Sequence, residues 1–244
     1  YPHQADTKAN IQFLLDFKKF VKEINPEILL IGEARADMDA IVKYYGSVDL
    51  CFDFPFSSLL RKSLKSEKAF PHKLIELSQK KDMEKVPPSF FAPFLSNHDQ
   101  DRIALQLDND MPKMKLAAAL LLLTTAGTPY LYYGEEIGLT QNQTGDDTFK
   151  RAPMQWNNEE YAGFTEGKYV WVDDKKWLPW RPNHSPWWKS FLESQNKSLI
   201  SVEAQKQNSD SLLNWYKKLI SIRKKFRNDD RIEISEMNEG KLLV

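Results

Sequence analysis

Residues 89–102 read SFFAPFLSNHDQDR, and the fold turns on how that stretch is understood. An aromatic, apolar run ends abruptly in Asn97, His98 and Asp99. A run that apolar belongs in a core, and polar groups stranded at its rim cost about 1–3 kcal/mol each when left without partners. The three residues are therefore either a turn closed by Asx hydrogen bonds or a site. If 89–97 is a buried strand, its carboxyl end carries an amide, an imidazole and a carboxylate side by side. In sheets of parallel strands, that end is where sites assemble.

Two other apolar runs end in the same way. EILLIGEA, residues 27–34, places Glu33 after LLIG, and TPYLYYGEEIG, residues 128–138, places Glu135 and Glu136 after LYYG. SVDLCFDF, residues 47–54, reads as a further strand. Helical patterns alternate with these runs. They lie over 8–24, 37–46 (closed by Gly46), 57–66, 71–82 and 112–127, the last stopped by Gly127. Strand and helix in alternation predict an α/β fold with a parallel sheet covered by helices. Residues 140–208, rich in Trp, Asn, Gln and Pro, break the rhythm and read as a long loop region. DSLLNWYKKLISIRKKF, residues 210–226, is an amphipathic helix capped by Asp210 or Ser211. RIEISEMNEGKLLV, residues 231–244, reads as the opening of a β-rich module.

The spacing of the polar ends is informative. A (β/α)8 barrel uses roughly 31 residues per unit. Glu33 and Asp99 are 66 residues apart, about two units, and Asp99 and Glu135 are 36 apart, about one. Glu33 and Asp99 are then expected on alternate strands, facing one cavity. Two carboxylates with a histidine beside one of them suit acid–base or glycosyl-transfer chemistry.

The bulk properties exclude other classes. Lys plus Arg equals Asp plus Glu at 34 each, so the chain offers no charged footprint for nucleic acid or an anionic membrane. The longest apolar run, residues 116–127, is too short for a membrane span of ~20 residues. With 9 glycines and no G-x-G-x-x-G or Walker pattern, a dinucleotide or phosphate cradle is not expected. No second histidine stands at ligand spacing from His98, so no metal site is expected. The single cysteine, Cys51, cannot form an internal disulfide and reads as a small core residue. The chain opens YPHQADTKAN, without Met, which reads as the interior of a longer protein; the compartment is left open.

In order along the chain, LLIGEA, FLSNHDQDR, AGTPYLYYGEEIGL, RAPMQWNNEEYAGFTEG and VEAQKQNSDSLLNWYKKLISIRK resemble five segments of the α-amylase superfamily of glycoside hydrolases. The resemblance implies a (β/α)8 TIM barrel, of which residues 1–228 would be the C-terminal half, strands five to eight. Residues 229–244 would begin a small C-terminal β domain. It further implies Glu33 as the general acid and Asp99 as the third catalytic carboxylate. His98, Asn97 and Arg102 would bind substrate, an α-1,4-glucan or malto-oligosaccharide. The family's nucleophile, the Asp of a G-F-R-x-D-A motif, has no counterpart here, since Arg35-Ala36-Asp37 follows the acid and opens a helix. The D-x-x-x-N-H motif and the inserted domain B are absent too. The implied partner is the N-terminal half of the same barrel, without which residues 1–244 would be inactive. No cofactor is implied in this chain, and any calcium would belong to the N-terminal half. An oligosaccharide α-glucosidase and a non-catalytic amylase-like protein are the alternatives.

Overall fold

The periodicity of residues 8–24 becomes helix α1, Lys8–Ile24. The Thr7 hydroxyl accepts from the Asn10 amide at 3.1 Å and caps its start. Asn25 ends it in extended conformation, immediately before Pro26. The computed structural model of the chain describes residues 5–65, 85–125, 127–141, 147–159, 162–164, 200–225, 235–237 and 241–243. These fall into two units. One comprises Tyr1–Leu95, Leu120–Tyr130 and Lys224–Val244; the other comprises Ser96–Ala119 and Leu131–Arg223.

The first unit holds a parallel sheet of β1 (Ile31–Gly32), β2 (Leu50–Phe52) and β3 (Phe91–Ala92), in that order. Each strand is shorter than the apolar run that contains it. Cys51 sits fully buried at the centre of β2, and burial pushes its thiol up to about 11. Met38, Ile41, Tyr44, Val48, Phe90 and Phe91 pack around it. Met38 and Ile41 come from helix α2, Met38–Ile41, which continues as a single 3-10 turn over Val42–Tyr44. Asp49 ties α1 to the sheet, accepting from the Leu30 amide at 2.8 Å and pairing with Lys18 at 2.9 Å. Burial raises its carboxyl, but the Leu30 amide and the two lysines of α1 outweigh that and hold it below its ordinary value. Helix α3, Phe54–Lys65, starts on Asp53, whose buried carboxylate accepts from the Phe56 amide at 3.0 Å.

The fourth strand expected at 128–138 is reduced to a single bridge, Phe94 to Tyr130. Prolines explain the shortfall. Pro93 and Pro129 lack the N–H that a continuing ladder needs. The backbone still runs beside β3, with the Thr128 amide donating to Phe91 at 3.0 Å and the Tyr130 amide to Pro93 at 2.8 Å. Gly127, expected as a helix stop, has a different role. A Cβ there would lie 2.0 Å from the Phe91 carbonyl oxygen and 2.9 Å from that of Pro88. Only glycine lets this segment approach β3 so closely.

The second unit is helical: α4 (Ile103–Gln106), α5 (Met111–Leu123, whose last turn enters the first unit), α6 (Asp147–Lys150), α7 (Val202–Gln207) and α8 (Leu212–Arg223). Helices α6 and α7 correct the reading of 140–208 as loop. Both are short, and α7 is defined by the Ser201 hydroxyl accepting from the Ala204 amide at 3.2 Å, a cap hidden in a polar composition. Ser211, not Asp210, caps α8, accepting from Asn214 at 3.2 Å. Asp210 instead reaches Lys115 of α5 at 2.6 Å. Gln205 joins α7 to its surroundings, donating to the Ile137 carbonyl at 2.7 Å and accepting from the Leu213 amide at 3.0 Å. Strands β4 (Ser235–Met237) and β5 (Lys241–Leu243) form an antiparallel pair. The helix expected at 71–82 lies outside the described residues. Among the described residues, no helix is long and apolar enough to cross a membrane.

Gly127→Ala should destabilise the protein by about 3 kcal/mol or more, the upper end for overpacking, because the obstructing atoms are backbone. Urea denaturation measures it, and a variant within about 0.5 kcal/mol of the parent would contradict the close approach.

Candidate active site

Glu33 stands one residue beyond β1, at the carboxyl end of that strand, and is exposed. Two strands over in the sheet order, β3 runs parallel to β1 and β2, and the chain leaves its carboxyl end through Pro93 to Leu95. The Arg61 guanidinium donates to the Leu95 carbonyl at 2.7 Å. Ser96 then begins the second unit, with Asn97, His98 and Asp99 directly after it.

The turn and site readings of this segment turn out to be compatible. The Asn97 carboxamide oxygen accepts from the Asp99 amide at 3.0 Å, closing an Asx turn. That turn presents the His98 and Asp99 side chains to solvent, about half exposed, with Nε2 of His98 3.4 Å from Asp99 Oδ1. Two cations next to or within α6 hold the turn from the other side. Arg151 donates to Asp99 Oδ1 at 2.9 Å and to the His98 carbonyl at 3.2 Å. Lys150, buried, donates to the Asp99 carbonyl at 3.0 Å. Asp147 pairs with both cations, at 3.0 Å and 3.2 Å. Neither Lys150 nor Arg151 is a candidate from sequence spacing; the only signal is that Arg151 opens the RAPMQW segment.

Arg102 is placed differently from the expectation that it binds substrate. It has no exposed surface. Its guanidinium donates to the Tyr133 carbonyl at 2.7 Å and lies 4.8 Å and 4.7 Å from the ring centres of Tyr132 and Tyr133. Burial lowers its pKa, while the two tyrosines and Glu135 work the other way. A side chain enclosed by protein groups cannot reach a sugar, so Arg102 supports the turn from within.

Glu135, which follows LYYG, is buried as well. It sits in a 3-10 turn, Glu135–Ile137, entered through Gly134. Gly134 has φ +86, and a Cβ there would lie 2.7 Å from Leu139 and 3.1 Å from Arg102, so glycine is required twice over. Oε1 of Glu135 accepts from the Ser96 amide at 3.0 Å and from the Ser96 hydroxyl at 2.5 Å. Oε2 has no partner among the described residues. Burial raises the carboxyl to about 7; the Ser96 donors and the Arg102 charge act against the rise. Nearby, Gln141 accepts from the Arg102 amide and donates to Asp101, both at 2.7 Å. Among the described residues, no cluster of three or more His, Cys, Asp and Glu side chains could hold a metal ion.

This arrangement gives an exposed carboxylate after one parallel strand, and an exposed carboxylate–imidazole pair after another. A family model described as the alpha amylase catalytic domain matches residues 2–229. The chain belongs to the alpha-amylase family. It is 28% identical over 242 residues to Alpha-amylase 3 of Dictyoglomus thermophilum, covering 98% of this chain and 44% of that protein. It is 29% identical over 170 residues to the oligo-1,6-glucosidase of Bacillus cereus, covering 54% and 27%. Among solved structures, the alpha-amylase from H. orenii matches with TM-score 0.67 at 30% identity, covering 89% of this chain and 40% of that one. Alpha-amylase family relatives thus share its α/β fold, and the chain spans less than half the length of each of these three.

Because the folded carboxyl of Glu135 titrates near 7, above its ordinary 4.5, folding favours its protonated form. Its contribution to stability is present below about pH 4.5 and is lost as pH rises through 7. Denaturation midpoints should therefore fall between pH 5 and pH 8 by less in Glu135→Gln than in the parent. Parallel curves for the two proteins would contradict the raised value.

Proposed function

We propose that residues 1–228 are the second half of a (β/α)8 barrel and residues 229–244 the start of a β domain. The enzyme containing them hydrolyses α-1,4-linked glucans, retaining anomeric configuration. The observation that carries this reading is that, in a member of the alpha-amylase family, Glu33 and the Asn97–Asp99 turn both follow the carboxyl ends of strands in one parallel sheet. The antiparallel β4–β5 pair supports the β domain.

In this mechanism Glu33 gives its proton to the glycosidic oxygen as the C1–O bond breaks. C1 is taken by a carboxylate from outside residues 1–244, the chain having no G-F-R-x-D-A motif. Glu33 then takes a proton from the water that releases the sugar, so the acid is regenerated and one water is consumed. Asp99 and His98 hydrogen-bond hydroxyls of the same sugar, more tightly as it flattens toward the transition state, which lowers the barrier. Arg151 fixes the orientation of the Asp99 carboxylate through its 2.9 Å contact. Asn97 shapes the turn through its carboxamide oxygen. The substrate is a malto-oligosaccharide or longer glucan, and the other half of the barrel is the partner. A preference for α-1,6 bonds is the second reading, favoured by the likeness of about half the chain to an oligo-1,6-glucosidase.

The test separates proton donation from everything else. In the enzyme containing this chain, Glu33→Gln should lower turnover of a maltooligosaccharide by roughly 100- to 10,000-fold. Hydrolysis of an α-glucosyl fluoride, whose leaving group needs no proton, should fall far less. Equal losses on both substrates would remove Glu33 from the acid's role, and comparison of maltotriose with isomaltose decides the linkage.

A further inference from the structure

We propose that Glu135 is a positioning residue for this chemistry: by gripping the amide and hydroxyl of Ser96, it fixes where the Asn97–His98–Asp99 turn begins. The inference rests on the reading of His98 and Asp99 as sugar contacts and assigns what holds them in place.

The geometry is specific. Both donors of Ser96 converge on one oxygen of Glu135, at 3.0 Å and 2.5 Å. Two donors of one residue on one acceptor oxygen together define both the position and the rotation of Ser96. The residue after Ser96 is the first of the exposed turn. At the far end of the segment, Gln141 holds Asp101 and the Arg102 amide, both at 2.7 Å. A short exposed turn is thus held at both ends by groups from residues 135–141. A reactive turn held this way is pre-organised, and an error of about 1 Å in its placement can cost roughly a hundredfold in rate.

Stability alone does not account for Glu135. Its carboxylate is 2% exposed, and Oε2 has no partner among the described residues. The opposing charge, Arg102, has its guanidinium directed at the Tyr133 carbonyl and the tyrosine rings. An apolar side chain would fill the same space without desolvating an ion. What the carboxylate supplies, and an apolar group could not, is the two-donor hold on Ser96.

The experiment compares Glu135→Leu, Ser96→Ala and the control Glu136→Gln in the whole enzyme, with nitrophenyl α-maltoside as substrate; Glu135→Gln, whose carboxamide oxygen can still accept both Ser96 donors, serves as the conservative variant. Active sites are counted by trapping with a fluorinated maltosyl inhibitor, so that loss of folded protein does not lower the measured kcat. The proposal expects kcat per trapped site to fall about 10- to 100-fold in Glu135→Leu and Ser96→Ala, with KM within about threefold, and to be largely kept in Glu135→Gln. The double variant Glu135→Leu/Ser96→Ala should be no worse than the poorer single one, since both break one interaction. Glu136→Gln should match the parent. Parental kcat per site in Glu135→Leu would overturn the proposal. If Glu135→Leu does not fold, Ser96→Ala decides alone, and parental kcat in it overturns the proposal equally. Asp99→Asn separates the two levels. Full activity there removes the underlying reading, whereas loss in Asp99→Asn beside parental Glu135→Leu and Ser96→Ala removes only the positioning role.

Discussion

The contact between Ser96 and Glu135 is the constraint on which the described site depends. An apolar segment that ends in three polar residues needs a handover point, where buried backbone becomes exposed loop. Here that point is Ser96, whose amide and hydroxyl are buried yet satisfied by one carboxylate oxygen. Everything nearby can be seen as a condition for that contact. Gly134 permits the tight turn that presents Glu135. Gln205 holds the end of the same turn through the Ile137 carbonyl. The Asx turn of Asn97 then carries the chain outward, and Arg151 and Lys150 hold its far side.

Arg102 and Glu135, both buried in this region, are partnered in different ways. Arg102 has a carbonyl acceptor and two aromatic faces, an environment that tolerates a delocalised cation. Glu135 concentrates its bonding on one oxygen and leaves the other without a partner among the described residues. Burial raises its carboxyl to about 7 despite the donors on Oε1 and the charge of Arg102.

Much of this was legible from residue patterns, and the failures have physical causes. Helix α1 matched its periodicity over 8–24 because helical spacing, a threonine cap and a following proline all agree there. The strands were recognisable as apolar runs, but their lengths were not, because Pro93 and Pro129 remove ladder donors at points set by the partner strand. Gly127 resembled a helix stop, whereas its constraint is contact with Phe91, a residue distant in the chain. Arg102 was given to the substrate by resemblance alone; nothing local to it shows the two tyrosines that enclose it. Glu135 and Asp99 were both visible as polar ends of apolar runs. The link between Ser96 and Glu135 spans 39 residues, and that between Arg151 and Asp99 spans 52, so neither follows from spacing.

The central claim is that Glu33 and the turn held by Glu135 act on one sugar. A crystal structure of the whole enzyme with a non-hydrolysable malto-oligosaccharide analogue tests it most directly. The account predicts the Glu33 carboxyl within about 3 Å of the glycosidic position, and Asp99 and His98 on hydroxyls of the sugar at that same bond, with the Ser96–Glu135 contact intact. A ligand bound elsewhere, or Glu33 and Asp99 directed at different molecules, would contradict it.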